Sequence, residues 1–184
     1  MILLRHGQSE FNLHFSATRI DPGIKDPRLT PLGHSQADAA AEVLAARGVK
    51  HIVSSPYTRA LQTAAPLAAR LGLPVTVNPL VRERYAFTCD IGSPRTELAG
   101  AFPEHDLSTI EEIWWPLVEE PEHQVRARAA LFRAEMAALP SWRDTVVVAH
   151  WGFILAMTGV SMQNGQWLVC DPNEPAPEKI VWKV

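Results

Sequence analysis

The sequence predicts an α/β fold, a three-layer sandwich with a mostly parallel central sheet and helices on both faces. Three observations carry that expectation. Short apolar runs without polar alternation, at residues 1–4 and 145–149, read as strands buried on both faces. Helical patterns separate the strands, giving the order strand, helix, strand, helix, strand that parallel pairing requires. The residues best suited to chemistry, Arg5-His6, Ser54-Ser55 and His150, each follow a strand directly. In such sheets that puts them at the carboxyl edge, where ligands bind.

Residues 1–4 open the sheet. Thr30-Pro31-Leu32-Gly33 then sets a helix start, with Thr30 as N-cap and Pro31 at the first helical position, where its missing N–H costs nothing. Ala37, Ala40, Ala41 and Leu44 recur at helical spacing, and Gly48 closes the helix. Residues 51–54 are the next strand. Ser55 and Pro56 repeat the cap-and-proline device before a second helix, whose apolar stripe is Tyr57, Ala60, Leu61, Ala64, Leu67, Ala68 and Leu71, with Gly72 at its end. Val75-Thr76-Val77 gives a third strand.

From 78 to 121 the pattern turns irregular, with Pro79, Gly92, Pro94, Gly100, Pro103 and Pro116. Phe87, Phe102, Trp114 and Trp115 within it predict an insertion that packs over the sheet and covers a substrate, not a linker. A long helix covers about 122–139, with Val125, Ala129, Phe132, Met136 and Leu139 on its inner face. Residues 145–149 are the most hydrophobic strand and so the expected centre of the sheet. A short helix follows at about 153–158. Residues 166–170 and 179–184 are expected as an antiparallel pair at one edge, joined by a Pro-rich loop.

The chain of 184 residues suits one domain spanning 1–184, long enough for a real core. Its net charge of −3, with Lys and Arg spread along the chain, argues against a nucleic-acid surface or a polybasic membrane anchor. Any anionic ligand must then be held by a local cluster of cations. Cys89 and Cys170 stand far apart and in no metal-type spacing, as two reduced thiols of a cytoplasmic protein would. No apolar run approaches a membrane span, and only four residues precede Arg5, too few for a signal peptide. A cytoplasmic monomer or homodimer is expected.

His6 is the candidate nucleophile. A neutral imidazole attacks phosphorus well, and a phosphohistidine divides one hard displacement into two easier ones. Gly7 beside it is expected to let a substrate come close. Arg5 and Arg59 are the candidate phosphate clamps, because a guanidinium grips two oxygens at once and keeps its charge. Arg59 falls in the first turn of its helix, where backbone N–H groups also favour an anion. A solvated face is the fitting place for Arg47, Arg70, Arg126 and Arg133. His150 would bond the phosphoryl group and stabilise charge as it develops. A metal held by His6 and His150 is disfavoured, since no acid stands at ligand spacing and arginines would repel the ion. Glu83, between Arg82 and Arg84, either supplies a proton to a departing alkoxide or sits in a structural ion pair. Ser9 and Asn12 either bond a phosphate oxygen or cap a short helix. Arg84, Arg95, Trp114, Trp115 and Trp151 are candidate pocket residues, with surface charge and core aromatics as the bland alternative.

Four segments together resemble the histidine phosphatase superfamily, also called the phosphoglycerate mutase-like family. They are Arg5-His6-Gly7-Gln8-Ser9-Glu10-Phe11-Asn12, Ser54-Ser55-Pro56-Tyr57-Thr58-Arg59-Ala60-Leu61-Gln62-Thr63, Arg82-Glu83-Arg84, and Val146 through Gly152. Leu29-Thr30-Pro31-Leu32-Gly33-His34-Ser35-Gln36-Ala37 matches a further family segment. The resemblance implies His6 as the phosphorylated nucleophile, with Arg5, Arg59 and His150 on the phosphoryl group and Glu83 as acid and base. It also implies Ser9 and Asn12 near the phosphate, no cofactor and a small phosphorylated substrate. Phe11 stands where true mutases carry Trp, and the segment Tyr85-Ala86-Phe87 departs from theirs. The expectation is therefore a phosphomonoesterase, with a phosphoglycerate mutase or a catalytically silent phosphate-binding domain as alternatives.

Overall fold

A computed structural model of the chain describes residues 1–182. Five strands form one sheet: β1 (Ile2–Arg5), β2 (His51–Ser54), β3 (Val75–Val77), β4 (Thr145–Ala149) and β5 (Trp167–Val169), in the order β3-β2-β4-β1-β5. All pairs are parallel except β1 with β5. The central place of β4, buried along its whole length, is the one its sequence predicts.

Strand alternation divides the core. Leu3, Val147 and Ala149 point to one face, where α5 (Glu122–Ala138) and α6 (Trp151–Thr158) cover them with Val125, Phe132, Met136 and Phe153. Ile2, Leu4, Val146, Val148 and Ile52 point to the other face, under α2 (Pro31–Ala45) and α3 (Thr58–Leu71). A third cluster of Tyr57, Leu61, Val77, Leu98, Leu107, Ile110 and Trp114 fills the space beneath residues 78–121. That segment is irregular, and it contains the short helix α4 (Arg95–Ala101), which its prolines and glycines masked.

Helix α1 (Glu10–Thr18) also escapes the sequence pattern, because only Phe11 of its residues is buried and no apolar stripe announces it. Ser9 caps it: the Ser9 hydroxyl accepts from Asn12 N–H, and Asn12 Oδ1 accepts in return from Ser9 N–H at 3.1 Å. The capping alternative for these two residues thus describes their contacts.

Helix α2 begins as its sequence predicts, with Thr30 Oγ1 accepting from Gly33 N–H at 3.1 Å. Helix α3 does not use the Ser55-Pro56 device. It starts at Thr58, and Tyr57, expected inside the stripe, is the N-cap residue without a side-chain cap bond. Its cap is distant in sequence: Asp26 accepts from Thr58 N–H at 2.9 Å and from Thr58 Oγ1 at 2.7 Å. Helix α6 begins at Trp151, two residues before its apolar run suggests.

The expected edge hairpin is half right. β5 forms at the edge, but residues 179–182 are not a strand, and the rest of that segment, 183–184, lies outside the described residues. Arginines from α5 hold the loop between β5 and that segment by its carbonyls. Arg133 donates to Asp171 O and Glu174 O, both at 3.1 Å, and to Met157 O, while Arg126 donates to Pro177 O at 3.1 Å. Arg126 and Arg133 therefore are not simply solvated, and Arg47 lies 4.3 Å over the Trp167 ring.

Candidate active site

β1, β2 and β4 end at one edge, and their ends bring the predicted residues together. His6 follows β1 and is held by its N–H bond to Ala149 O at 3.0 Å. His150 follows β4, and the two imidazole centroids lie 5.0 Å apart. Gly7 serves a different purpose from the one expected. A Cβ on Gly7 would lie 2.3 Å from Gly33 O, and one on Gly33 would lie 2.1 Å from Gln8 O. The pair of glycines lets the start of α2 press against the turn after β1, and that contact fixes where His6 points. Thr63 and Gln36 support the same turn, accepting from Gly7 N–H at 3.1 Å and Gln8 N–H at 2.8 Å.

A cavity of about 370 Å³ opens here. Arg5, His6, Arg59 and Glu83 line it, with Ser9, Asn12, Arg84 and Trp151. His150 lies beneath, fully buried and packed edge-on against Tyr57 at 5.1 Å. A larger open depression of about 730 Å³, lined by Arg84, Glu119, His123 and Arg126, holds neither buried imidazole. Arg95 is not at the site; it pairs with Glu112 at 3.3 Å on the surface. Trp114 is core, stacked edge-on against Tyr57 at 4.6 Å with Trp115 against it. The bland alternative holds for these three residues.

The hydrogen bonds of His6 fix its tautomer. Nδ1 lies 2.7 Å from Gly7 O, a carbonyl that can only accept, so Nδ1 carries the proton and Nε2 keeps its lone pair. Burial, followed by the charges of Arg59 and Arg5, holds the His6 pKa well below its usual 6.5. The same forces, burial first and Arg59 next, hold His150 down. Both rings are neutral near pH 7, and the His6 Nε2 lone pair is unprotonated.

Arg59 is buried in the first turn of α3. It donates to Cys89 O at 2.8 Å and pairs with Asp90 at 3.3 Å. Burial pushes the Asp90 carboxyl up to about 6, against Arg59 and the Ala86 and Phe87 N–H groups, which pull it down. Arg5 donates to Met162 O at 2.5 Å, and burial lowers its pKa to about 10, still charged near pH 7. Arg5 Nε and both ring nitrogens of His150 are buried with no partner among the described residues. Such groups cost about 1–3 kcal/mol each, and an oxyanion accepting from Arg5 Nε–H and from the one N–H of the neutral His150 ring removes the cost of those two.

Glu83 Oε1 accepts from Arg84 N–H at 2.8 Å and from Gly152 N–H at 2.9 Å. Gly152 is required for this approach, since a Cβ there would lie 2.5 Å from Glu83 Oε1. Asn12 Oδ1 already accepts from Ser9 and Asn164, so only its NH₂ group remains for a ligand. Several residues at the site escaped sequence reasoning. Asp26 and Asp90 act on α3 and Arg59 through contacts that no local spacing encodes. Arg19, Phe15 and Phe87 line the cavity, and the i, i+4, i+8 spacing of Phe11, Phe15 and Arg19 was the one available signal.

Residues 1–168 match the family described as "Histidine phosphatase superfamily (branch 1)". A glucosyl-3-phosphoglycerate phosphatase of Mycobacterium tuberculosis is 35% identical over 172 residues, covering 89% of this chain and 75% of that protein. The protein of the same name from Mycolicibacterium vanbaalenii is 37% identical over 166 residues, 86% of this chain and 72% of its own length. The solved structure of a mycobacterial glucosyl-3-phosphoglycerate phosphatase in complex with VO3 is similar with a TM-score of 0.64 at 32% identity, covering 91% of this chain and 90% of that one. With the family match running through nearly the whole chain and both buried imidazoles at the strand ends, this protein belongs to the histidine phosphatase superfamily.

Proposed function

We propose that the protein is a phosphatase that hydrolyses small-molecule phosphomonoesters through a phosphohistidine on His6. The observation that carries this reading is His6 itself: Nδ1 is committed to Gly7 O, burial and two arginines keep the ring neutral, and Nε2 is left as a nucleophile. The relatives named glucosyl-3-phosphoglycerate phosphatase support a small phosphorylated molecule as substrate.

Arg5 and Arg59 hold the phosphoryl oxygens, and a ring N–H of His150 donates to one of them. His6 Nε2 attacks phosphorus as the ester P–O bond breaks. Glu83, as the carboxylic acid, passes a proton to the departing oxygen, so the alcohol leaves neutral. Water then attacks the phosphohistidine, Glu83 takes its proton, and orthophosphate leaves with His6 restored. Ser9 and Asn12 stand beside the nucleophile, with Asn12 NH₂ available to a phosphoryl oxygen. The two free cysteines, Cys89 and Cys170, fit the cytoplasmic location we propose, and burial raises both thiols.

Phosphate release from p-nitrophenyl phosphate tests this, with His6→Ala as control. We expect activity in the wild type, a loss of at least about 10³-fold in the variant, and an acid-labile phosphoprotein in rapid quench. Release of no phosphate by the wild type, or a variant as active as the wild type, overturns the reading. With 3-phosphoglycerate, release without isomerisation is expected; isomerisation without release would identify a mutase.

A further inference from the structure

Three phenylalanines stand beside the phosphate clamp, Phe11 buried and the other two partly exposed. Phe11 and Phe15 lie one turn apart on α1, and Phe87 comes from the irregular segment. Their centroids are 5.1 Å (Phe11–Phe15), 5.5 Å (Phe11–Phe87) and 5.0 Å (Phe15–Phe87) apart, so the rings make one continuous surface. None of them belongs to the three apolar clusters that pack on the sheet or under residues 78–121. All three line the cavity that holds His6 and Arg59. Phe15 and Phe87 are only half-buried, so they present apolar surface to the space that the alcohol portion of a substrate must use. Trp151 and Met162 add apolar wall to the same cavity from α6 and the loop after it.

A polyhydroxy alcohol placed against these rings would gain no partner from them, and its hydroxyls would have to reach Ser16, Arg19 or Gln163 elsewhere on the cavity wall. A flat ring there would gain offset or edge-on contacts with three others. We infer that the substrate is a phosphomonoester of an alcohol carrying a flat aromatic ring, which lies against Phe15 and Phe87 while His6 takes the phosphoryl group. This assignment rests on the phosphatase reading above. The bonds made and broken are those of that reading, with the ring-bearing alcohol leaving neutral and water later receiving the phosphoryl group.

The test compares 2-phenylethyl phosphate with ethyl phosphate and glycerol 1-phosphate. All three release aliphatic alcohols, so an aromatic preference reports contacts to the ring more than leaving-group quality. The kcat/KM ratio of 2-phenylethyl phosphate to ethyl phosphate is expected to be about tenfold or more in the wild type. Phe15→Ala and Phe87→Ala should each reduce that ratio about 3- to 10-fold. Phe15→Leu and Phe87→Leu, which keep the apolar volume and guard against loss of folding, should reduce it by a smaller factor. A wild-type ratio near one, or faster turnover of glycerol 1-phosphate, overturns the aromatic assignment while turnover of ethyl phosphate upholds the phosphatase reading. No hydrolysis of any ester, with no phosphoryl group trapped on His6, overturns both.

Discussion

Two imidazoles buried among guanidiniums respond to acid in a direction that can be stated in advance. Burial and the positive charges of Arg59 and Arg5 hold His6 and His150 well below 6.5 in the folded protein. As pH falls through 6.5 the unfolded chain takes up protons that the folded rings refuse, so stability declines. The decline ends once the pH reaches the depressed folded values, and above 6.5 these rings contribute nothing. Asp90 acts oppositely. Its carboxyl, raised from 3.8 to about 6, takes its proton first in the folded state, which adds stability as pH falls through 6 toward 3.8. His150→Gln separates the two effects, since it removes one imidazole and leaves Asp90 in place. From pH 7.5 to 5.0 the difference in melting temperature between wild type and His150→Gln should move in the variant's favour. A difference that does not change with pH would mean that His150 is not held neutral by its surroundings.

Helix α3 carries Arg59 as its second residue, so whatever fixes the start of α3 fixes the clamp. That work falls to Asp26, whose two oxygens take the N–H and the hydroxyl of Thr58. Asp26→Ala should cost about 1–2 kcal/mol in urea unfolding and lower kcat/KM as Arg59 loses its place. Asp26→Asn, which keeps an acceptor, should lose less of both; an Ala variant with full stability would show the cap to be idle. This contact also marks where the sequence stops being legible. The Leu29–Ala37 and Ser54–Thr63 segments can be read because their roles are local: Thr30 caps three residues ahead, and Arg59 follows its strand by five. The cap on α3 comes from 32 residues upstream, and nothing near Thr58 signals it. Gly7 misled for the same reason. Its reason for being glycine is Gly33, which is near in space and distant in the chain. The terminal segment was misread because β propensity is local, whereas the arginines that hold the loop before it, Arg126 and Arg133, sit on a helix some forty residues upstream.

Across the whole molecule, one buried ion pair joins the irregular layer to the sheet's helical cover and to the site. Arg128 of α5 donates to both oxygens of Glu120, at 3.1 and 2.7 Å, and to the carbonyls of Leu80 and Arg82, at 2.7 and 2.8 Å, with a longer bond of 3.4 Å to Glu83 O. Arg82 also reaches Glu120 at 3.0 Å. Side chains on both sides of this contact are almost inaccessible, 5% for Arg128 and 3% for Glu120, so neither charge has water to turn to. A buried pair need not stabilise more than an apolar pair of the same shape, but breaking one strands the remaining charge. Arg128→Met should therefore cost about 3–5 kcal/mol, and Glu120→Gln in the same chain should recover part of it. The backbone that presents Glu83 would also lose its donors, so kcat measured well below the melting transition should fall with little change in KM. If Arg128→Met unfolds with a loss below about 1 kcal/mol and retains kcat, the segment carrying Glu83 is held by its apolar contacts alone.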